Sequence, residues 1–524
     1  MKYPLILLLL LLTVSCQKKE PPPSAPLEHV RLNLRNEPAT LDPRKGADVL
    51  SCELQVFLFE GLMRWYPDGS LDLGQAAALE ISQDQRTYTF HLRNTLWSDG
   101  TPVTAYDFEQ SWKNILDPNF PSPNAHLFYP IKNAEAAKKG LVALSEVGIK
   151  TPDARTLIVT LEAPTPYFLD LTSFVAFCPI HQANAHEHPE WAYNAGEHFI
   201  SNGPYTLQEW KHNNELLLKK NPLYWENEKI SCASIHFSMV SNENTVLQMY
   251  QNGKLDMIGT PLCPLPIEAA QSLNETGELL HKSIGCTTLL AFNTKQFPFN
   301  NANIRKALSY AIHRQEIVEH ITQQNEQIAL NAIPPVLKNN QNTPLFQDNN
   351  LAKAQELFAL GLHELGLEKD AFPEILYTYS NTDLNHNIAQ AIQQQWQKAF
   401  GICVKLQSHD AKILMSKLTS KEFSVAQCIW IAQFKDPYNI LERFKLESNA
   451  KNYPSWENAE YIRLLEQSTQ EIGKSRLDTL EQAEKIFIDE MPIAPIYHWE
   501  YAYLVKPHLR NLKLCTSGEL YYTH

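Results

Sequence analysis

Two hydrophobic periods alternate along this chain. Val30-Arg-Leu-Asn-Leu34 and Arg86-Thr-Tyr-Thr-Phe-His-Leu-Arg93 repeat every second residue, the period of a strand with one buried face. Leu50 to Trp65 and Asn387 to Phe400 instead carry apolar residues at helical spacing, and a strand is predicted at Ile402 to Leu406. Thr104 reads as a helix cap with Asp107 in the first turn. Pro67-Asp68-Gly69 and Asp99-Gly100 mark turns. The most apolar run, Val425 to Phe434, ends at Lys435-Asp436-Pro437, and proline cannot donate into a strand ladder. It predicts a buried strand that breaks at a turn. Strands alternating with helices predict an α/β fold.

At 524 residues the chain exceeds one hydrophobic core, so two or three units of roughly 100 to 200 residues are expected. It has 44% hydrophobic residues to fill them. With 58 acidic against 45 basic side chains the net charge is −13, and no basic cluster stands out, which argues against nucleic acid. Lys2, the apolar run Pro4 to Leu12 and Thr13-Val14-Ser15-Cys16 read as a targeting segment, because nine apolar residues fall short of the about 20 a spanning helix needs. A small residue before Cys16 resembles a bacterial lipoprotein cleavage site, with Cys16 as the lipidated first residue of the mature chain. Residues 17–29 are polar and proline-rich, the composition of a spacer. The eight later cysteines form no Cys-x-x-Cys, so zinc and thioredoxin chemistry lack their ligands, and any pairing is open.

Catalytic motifs are missing from the sequence. No Gly-x-Ser-x-Gly, His-Glu-x-x-His or Gly-x-x-x-x-Gly-Lys occurs. His181, His186 and His188, spaced five and two apart between Pro179 and Pro189, read as a solvated loop and not as a metal site. No cofactor is expected.

Three ordered blocks carry a resemblance. Phe59-Glu60-Gly61-Leu62, Tyr88-x-Phe90-x-Leu92-Arg93 and Trp97-Ser98-Asp99-Gly100-x-Pro102-Val103-Thr104-Ala105-x-Asp107-Phe108 form the first. Asn202-Gly203-Pro204-Tyr205 with Trp210 and Asn221-Pro222-x-Tyr224-Trp225 form the second. Asn293-Thr294, Pro298-Phe299, Arg305-x-Ala307-Leu308 and Ala311-Ile312-x-Arg314 form the third. Together with Trp430 to Pro437 and Trp456-x-Asn458-x-Glu460-Tyr461, they make nearly everything after Val30 resemble the oligopeptide- and dipeptide-binding proteins of bacterial ABC transporters, the family 5 extracellular solute-binding proteins.

The resemblance implies a two-lobed, three-domain clamp of periplasmic-binding-protein type, with mixed sheets and a hinge. Domain I would comprise 30–59, 187–285 and 501–524, domain II 60–186 and domain III 286–500, with crossings near Asn293 and Trp499. It also implies a lipid-anchored, extracytoplasmic or periplasmic monomer that takes a peptide or peptide-like solute and hands it to ABC permease subunits, without catalysis. A cell-wall peptide, nickel or haem in the same fold, or a hydrolase, are the alternatives. The peptide would lie extended and pair its main chain with Ala47-Asp48-Val49 on one lobe and Ile429-Trp430-Ile431 on the other.

The charge anchors depart from the family's pattern. Its acidic residue for the ligand's α-amino group falls at Gln433, leaving Asp436 or Asp48 as substitutes, and an arginine for ligand carboxylates falls at Gln427, leaving His386 or Lys435. Cys286 matches one partner of a family disulfide whose other position is Ile431, so a bond would need a shifted pairing through Cys428.

Overall fold

The computed structural model describes residues 29–46, 48–66, 69–338, 343–509, 512–514 and 520–522. Cys16, the spacer at 17–28, Ala47 and the Pro67-Asp68 turn lie outside them. The period-two segment near the N-terminus is strand β1 (His29–Leu34). After it come β2 (Met63–Trp65), β3 (Leu71–Leu73), β4 (Ala76–Ile81), β5 (Thr87–Leu92), β6 (Ile149–Asp153) and β7 (Thr156–Thr160). The last four make a sheet of their own in the order β4-β5-β7-β6. Three strands, β8 (Tyr205–Lys211), β9 (Glu215–Lys220) and β10 (Ser234–Met239), then return to β1, giving the order β1-β10-β9-β8. The segment containing β2 to β7 is thus an insertion between strands of one sheet.

The remaining strands build one large sheet. They are β11 (Met257–Gly259), β12 (Leu280–Phe292), β13 (Gln327–Ile328), β14 (Ile375–Ser380), β15 (Val404–His409), β16 (Val425–Ile431) and β17 (Ile493–Val505). Their order is β11-β17-β12-β16-β14-β15, with β13 on β17, and both parallel and antiparallel pairs occur. The two 13-residue strands β12 and β17 pair along their lengths, but their register shifts between Ser283 and Thr287, where three residues of β12 face Trp499 alone. This break, a bulge, precedes Asn293, where a crossing between units was expected. Asn293 ties the far end of β12 to the turn before β16 through Lys421 O and Phe423 O.

The helical period at Asn387 to Phe400 becomes helix Asp383–Phe400. Thr382 Oγ1 accepts from Asn385 N, Asp383 favours the positive helix start, and Gly401 at φ 71° closes the end. Its buried stripe of Ile388, Ile392, Trp396 and Phe400 repeats every fourth residue and packs with Leu290, Phe292 and Tyr377 of the large sheet. The helix expected from Leu50 to Trp65 stops at Leu58. Asn202 bonds the main chain of Glu60 on both sides, and the Glu60 carboxylate accepts from Tyr224, Trp225 and Gln75. These tertiary bonds pull Phe59 and Glu60 into extended form, and Met63 to Trp65 becomes β2. The His181–His188 stretch is also not a loop. His181 Nδ1 caps the short helix Gln182–Glu187 by accepting from Asn184 N.

Candidate functional site

β16 is paired on one side only along its second half. β12 runs against it from Val425 to Ile431, whereas β14 meets it at Val425 and Ala426 alone. Ala432 N donates to Gly285 O at 2.7 Å, and Ile431 stands opposite Cys286. Antiparallel pairing alternates, so the amides and carbonyls of Ile429 and Ile431 turn away from β12. Arg443 Nη2 donates to Ile431 O at 3.0 Å from that other side. No backbone bond from another element reaches the main chain of Ile429 among the described residues. The Ile429 side chain is 49% exposed, in a strand whose other members are buried or half-buried. Trp430 points to the opposite face, stacked on Tyr453 with the Arg443 guanidinium 4.3 Å from its ring centre.

The residues around this edge are placed as follows. Asp48 caps helix Val49–Leu58, its carboxylate accepting from Ser51 N and Oγ, and Val49 is already helical. The expected strand at 47–49 is therefore absent at Asp48 and Val49: the cap sets Asp48 extended for one residue and the helix begins. The segment is nonetheless near the end of β16. Asn124 of the insertion donates to Gly46 O at 2.7 Å and accepts from Gln433 Nε2 at 3.3 Å, bridging the two.

Gln433 Oε1 lies 3.3 Å from His126 Nε2, which in turn is 3.1 Å from Lys451 Nζ. Burial, then Lys451 and Arg443, push His126 down to about 3, so it is a neutral ring. Lys451 is held down to about 8 by burial and Arg443, and burial raises Glu442 to about 7.

Asp436 is unavailable as a substitute anion. Arg476 grips both its oxygens at 2.7 and 2.8 Å, and Tyr438 N adds a third bond. The pair lines a groove of about 700 Å³ with Tyr88, Pro166, Leu169 and Ile472, where the insertion meets the C-terminal part. Gln427 is buried, accepting from Tyr377 and donating to Asn385. His386 is exposed on helix Asp383–Phe400 with Nδ1 2.6 Å from the Tyr379 hydroxyl. Lys435 stands 5.8 Å from the ring centre of Trp65. Cys286 and Cys428 are both free thiols. Cys428 faces Leu289, three places from Cys286, and an odd offset sends the two side chains to opposite sides of the sheet, which excludes the shifted disulfide.

The family model described as bacterial extracellular solute-binding proteins, family 5 middle, matches residues 71–452. The chain belongs to that family. This solute-binding protein is 39% identical over 498 residues to an oligopeptide-binding protein of Bacillus subtilis, covering 94% of the chain and 91% of the relative. It is 31% identical to a periplasmic murein peptide-binding protein of Escherichia coli, over 94% and 91% of the two chains. The solved structure of the Escherichia coli murein tripeptide binding protein superposes with a TM-score of 0.81 at 28% identity, covering 95% of this chain and 99% of that one. A Listeria monocytogenes OppA bound to peptide gives 0.79 at 28%, over 95% and 98%. The resemblance read from the motifs and the α/β clamp architecture both hold for this solute-binding protein.

Sequence reasoning missed Asn124, His126, Arg443 and Lys451. None is near Gln433 in a local pattern: Asn124 and His126 come from more than 300 residues away.

Proposed function

We propose that the protein captures peptides or peptide-like solutes by main-chain pairing along the open edge of β16, between its two lobes, and delivers them to an ABC permease without covalent chemistry. The observation that carries this reading is the unpaired edge at Ile429 and Ile431, in a family whose members include peptide binders. A strand added there bonds to backbone groups, so its side chains are free to vary. Asp48 and Val49, across the Asn124 bridge, supply the facing wall, and His386 lies toward the β14 end. Domain I takes 30–59, 187–285 and 501–524, domain II 60–186 and domain III 286–500. The lobes are joined through the β12 and β17 ribbon. Cys16 carries the lipid that holds a monomer on the outer side of a bacterial membrane, in keeping with its apolar leader and the spacer after it.

Proline scanning with calorimetry tests the pairing. Ile429→Pro removes an amide that faces the ligand and none that faces β12, so it should lose at least tenfold in affinity for a tri- to pentapeptide while still folding. Ile429→Ala keeps the amide and should bind nearly as well. Cys428→Pro breaks a bond to Leu289 and should lower stability by about 3 kcal/mol or more. Unchanged affinity in a folded Ile429→Pro protein would refute main-chain pairing at this edge.

A further inference from the structure

The end of the open edge, where β16 runs out at Gln433, is furnished for a particular chemistry. Two cations stand there, Arg443 and Lys451. Arg443 is buried and donates to the neutral oxygens of Ile431 and Asn439, and no carboxylate forms an ion pair with it among the described residues. Lys451 has the neutral His126 ring at 3.1 Å and likewise no ion-pair partner among the described residues. Two donors are buried without a hydrogen-bond partner: Trp430 Nε1, and Nδ2 of Asn439, whose oxygen accepts from Gln433 N. Asn439 is fully buried and Trp430 nearly so, and a buried N–H left unbonded is costly. Of the nearby acids, Asp436 is held by Arg476 and Asp48 is capping a helix. Only Glu442 acts on both cations, from beyond ion-pair distance among the described residues, and burial raises it to about 7, so one partly ionised acid faces two cations.

Resting on the peptide reading, we propose that the ligand end lying against Gln433 is an acceptor, an acyl carbonyl or a carboxylate, and not a free ammonium. An oxygen at that place lies beside Arg443 and Lys451. An ammonium there would meet two like charges. Gln433 fits this role because its amide is already fixed by Asn124 and, unlike a carboxylate, it adds no negative charge to repel an acceptor.

Calorimetry with one pentapeptide in three forms tests the proposal: both ends free, N-acetylated, and C-amidated. If the acceptor is an acyl carbonyl, acetylation tightens binding about tenfold. If it is the terminal carboxylate, amidation weakens binding about tenfold and acetylation matters little. In either case Lys451→Gln should remove most of the difference, Lys451→Arg should keep it, and Gln433→Asp should shift the preference toward the free amine. Melting curves confirm that the variants fold. Binding weakened tenfold by acetylation, or unaffected by either modification, overturns the proposal while leaving the peptide reading intact. Failure of all three forms to bind overturns the peptide reading itself.

Discussion

Asp170 sits where the insertion touches the C-terminal part, close to residues that hold the two together. Next to it Tyr167 stacks on Phe434 and Tyr438, and Arg476 pairs with Asp436. Burial first, and the Asp436 charge second, raise its carboxyl to about 7. Its folded pKa is thus above the unfolded one, so the native state holds the extra proton between about 4 and 7. Stability therefore falls as pH rises through that window and stays lower above it. Asp170→Asn, which cannot ionise, should stabilise the protein by about 1–2 kcal/mol at pH 8 and by little at pH 4, as read from denaturant midpoints. His126 and His498 act in the other direction. Both are pushed down to about 3, by burial first, so they withhold a proton that the unfolded chain takes up, and stability falls as pH drops from about 6.5 toward 3. At this scale the sequence showed which residue stands at 433 but not what surrounds it. A hydrogen bond across 309 residues leaves no local pattern.

β16 and the helix at Asp383 were legible as elements because period and composition agree along their whole lengths. The helix beginning at Val49 was legible only in its first ten residues. Beyond Leu58 the apolar spacing continues, but Asn202 and the Glu60 network claim the backbone, and tertiary bonds override the local pattern. The Asp48–Val49 strand failed for the opposite reason: an acceptor side chain three places before Ser51 is a cap signal that outweighs an extended reading. Register was the least visible property, yet it decides the cysteine chemistry. Cys286 faces Ile431 in a pair without mutual backbone bonds, the closer of the two antiparallel spacings. Ile431→Cys should accordingly form a disulfide with Cys286 under oxidising conditions. The closed loop of more than 100 residues should add a few kcal/mol to stability, and non-reducing mass spectrometry should show a loss of two mass units. Wild-type Cys286 and Cys428 should both react with a thiol reagent after unfolding without reductant.

For the whole molecule, the alternation of strands and helices and the ordered motif blocks were enough to reach the fold and its family. The bulge between β12 and β17 was not legible, because it depends on how two strands meet. A ligand that binds only the folded, closed form raises stability by about 2.7 kcal/mol at a hundredfold excess over its dissociation constant. Saturating peptide should therefore raise the melting temperature by several degrees, and small-angle scattering should show a smaller radius of gyration. Gly285, within the bulge, is tightly enclosed: a Cβ there would lie 3.0 Å from the Ala432 Cβ and 3.2 Å from Leu337 Cδ2, so both would have to give way. Gly285→Val should cost about 1–3 kcal/mol by overpacking and reduce the scattering change on adding peptide.

Two irregular steps interrupt the ladder between β12 and β17, one on each side of Thr287 and Thr288. A pair of hydrogen-bonded strands resists stretching and shearing in its own plane, but flexes readily where its ladder is interrupted. Such a ribbon resembles a leaf spring with two soft lines across it, the wider of them at Gly285. A clamp built on this ribbon would open and close by bending at those interruptions and not by sliding one strand past the other.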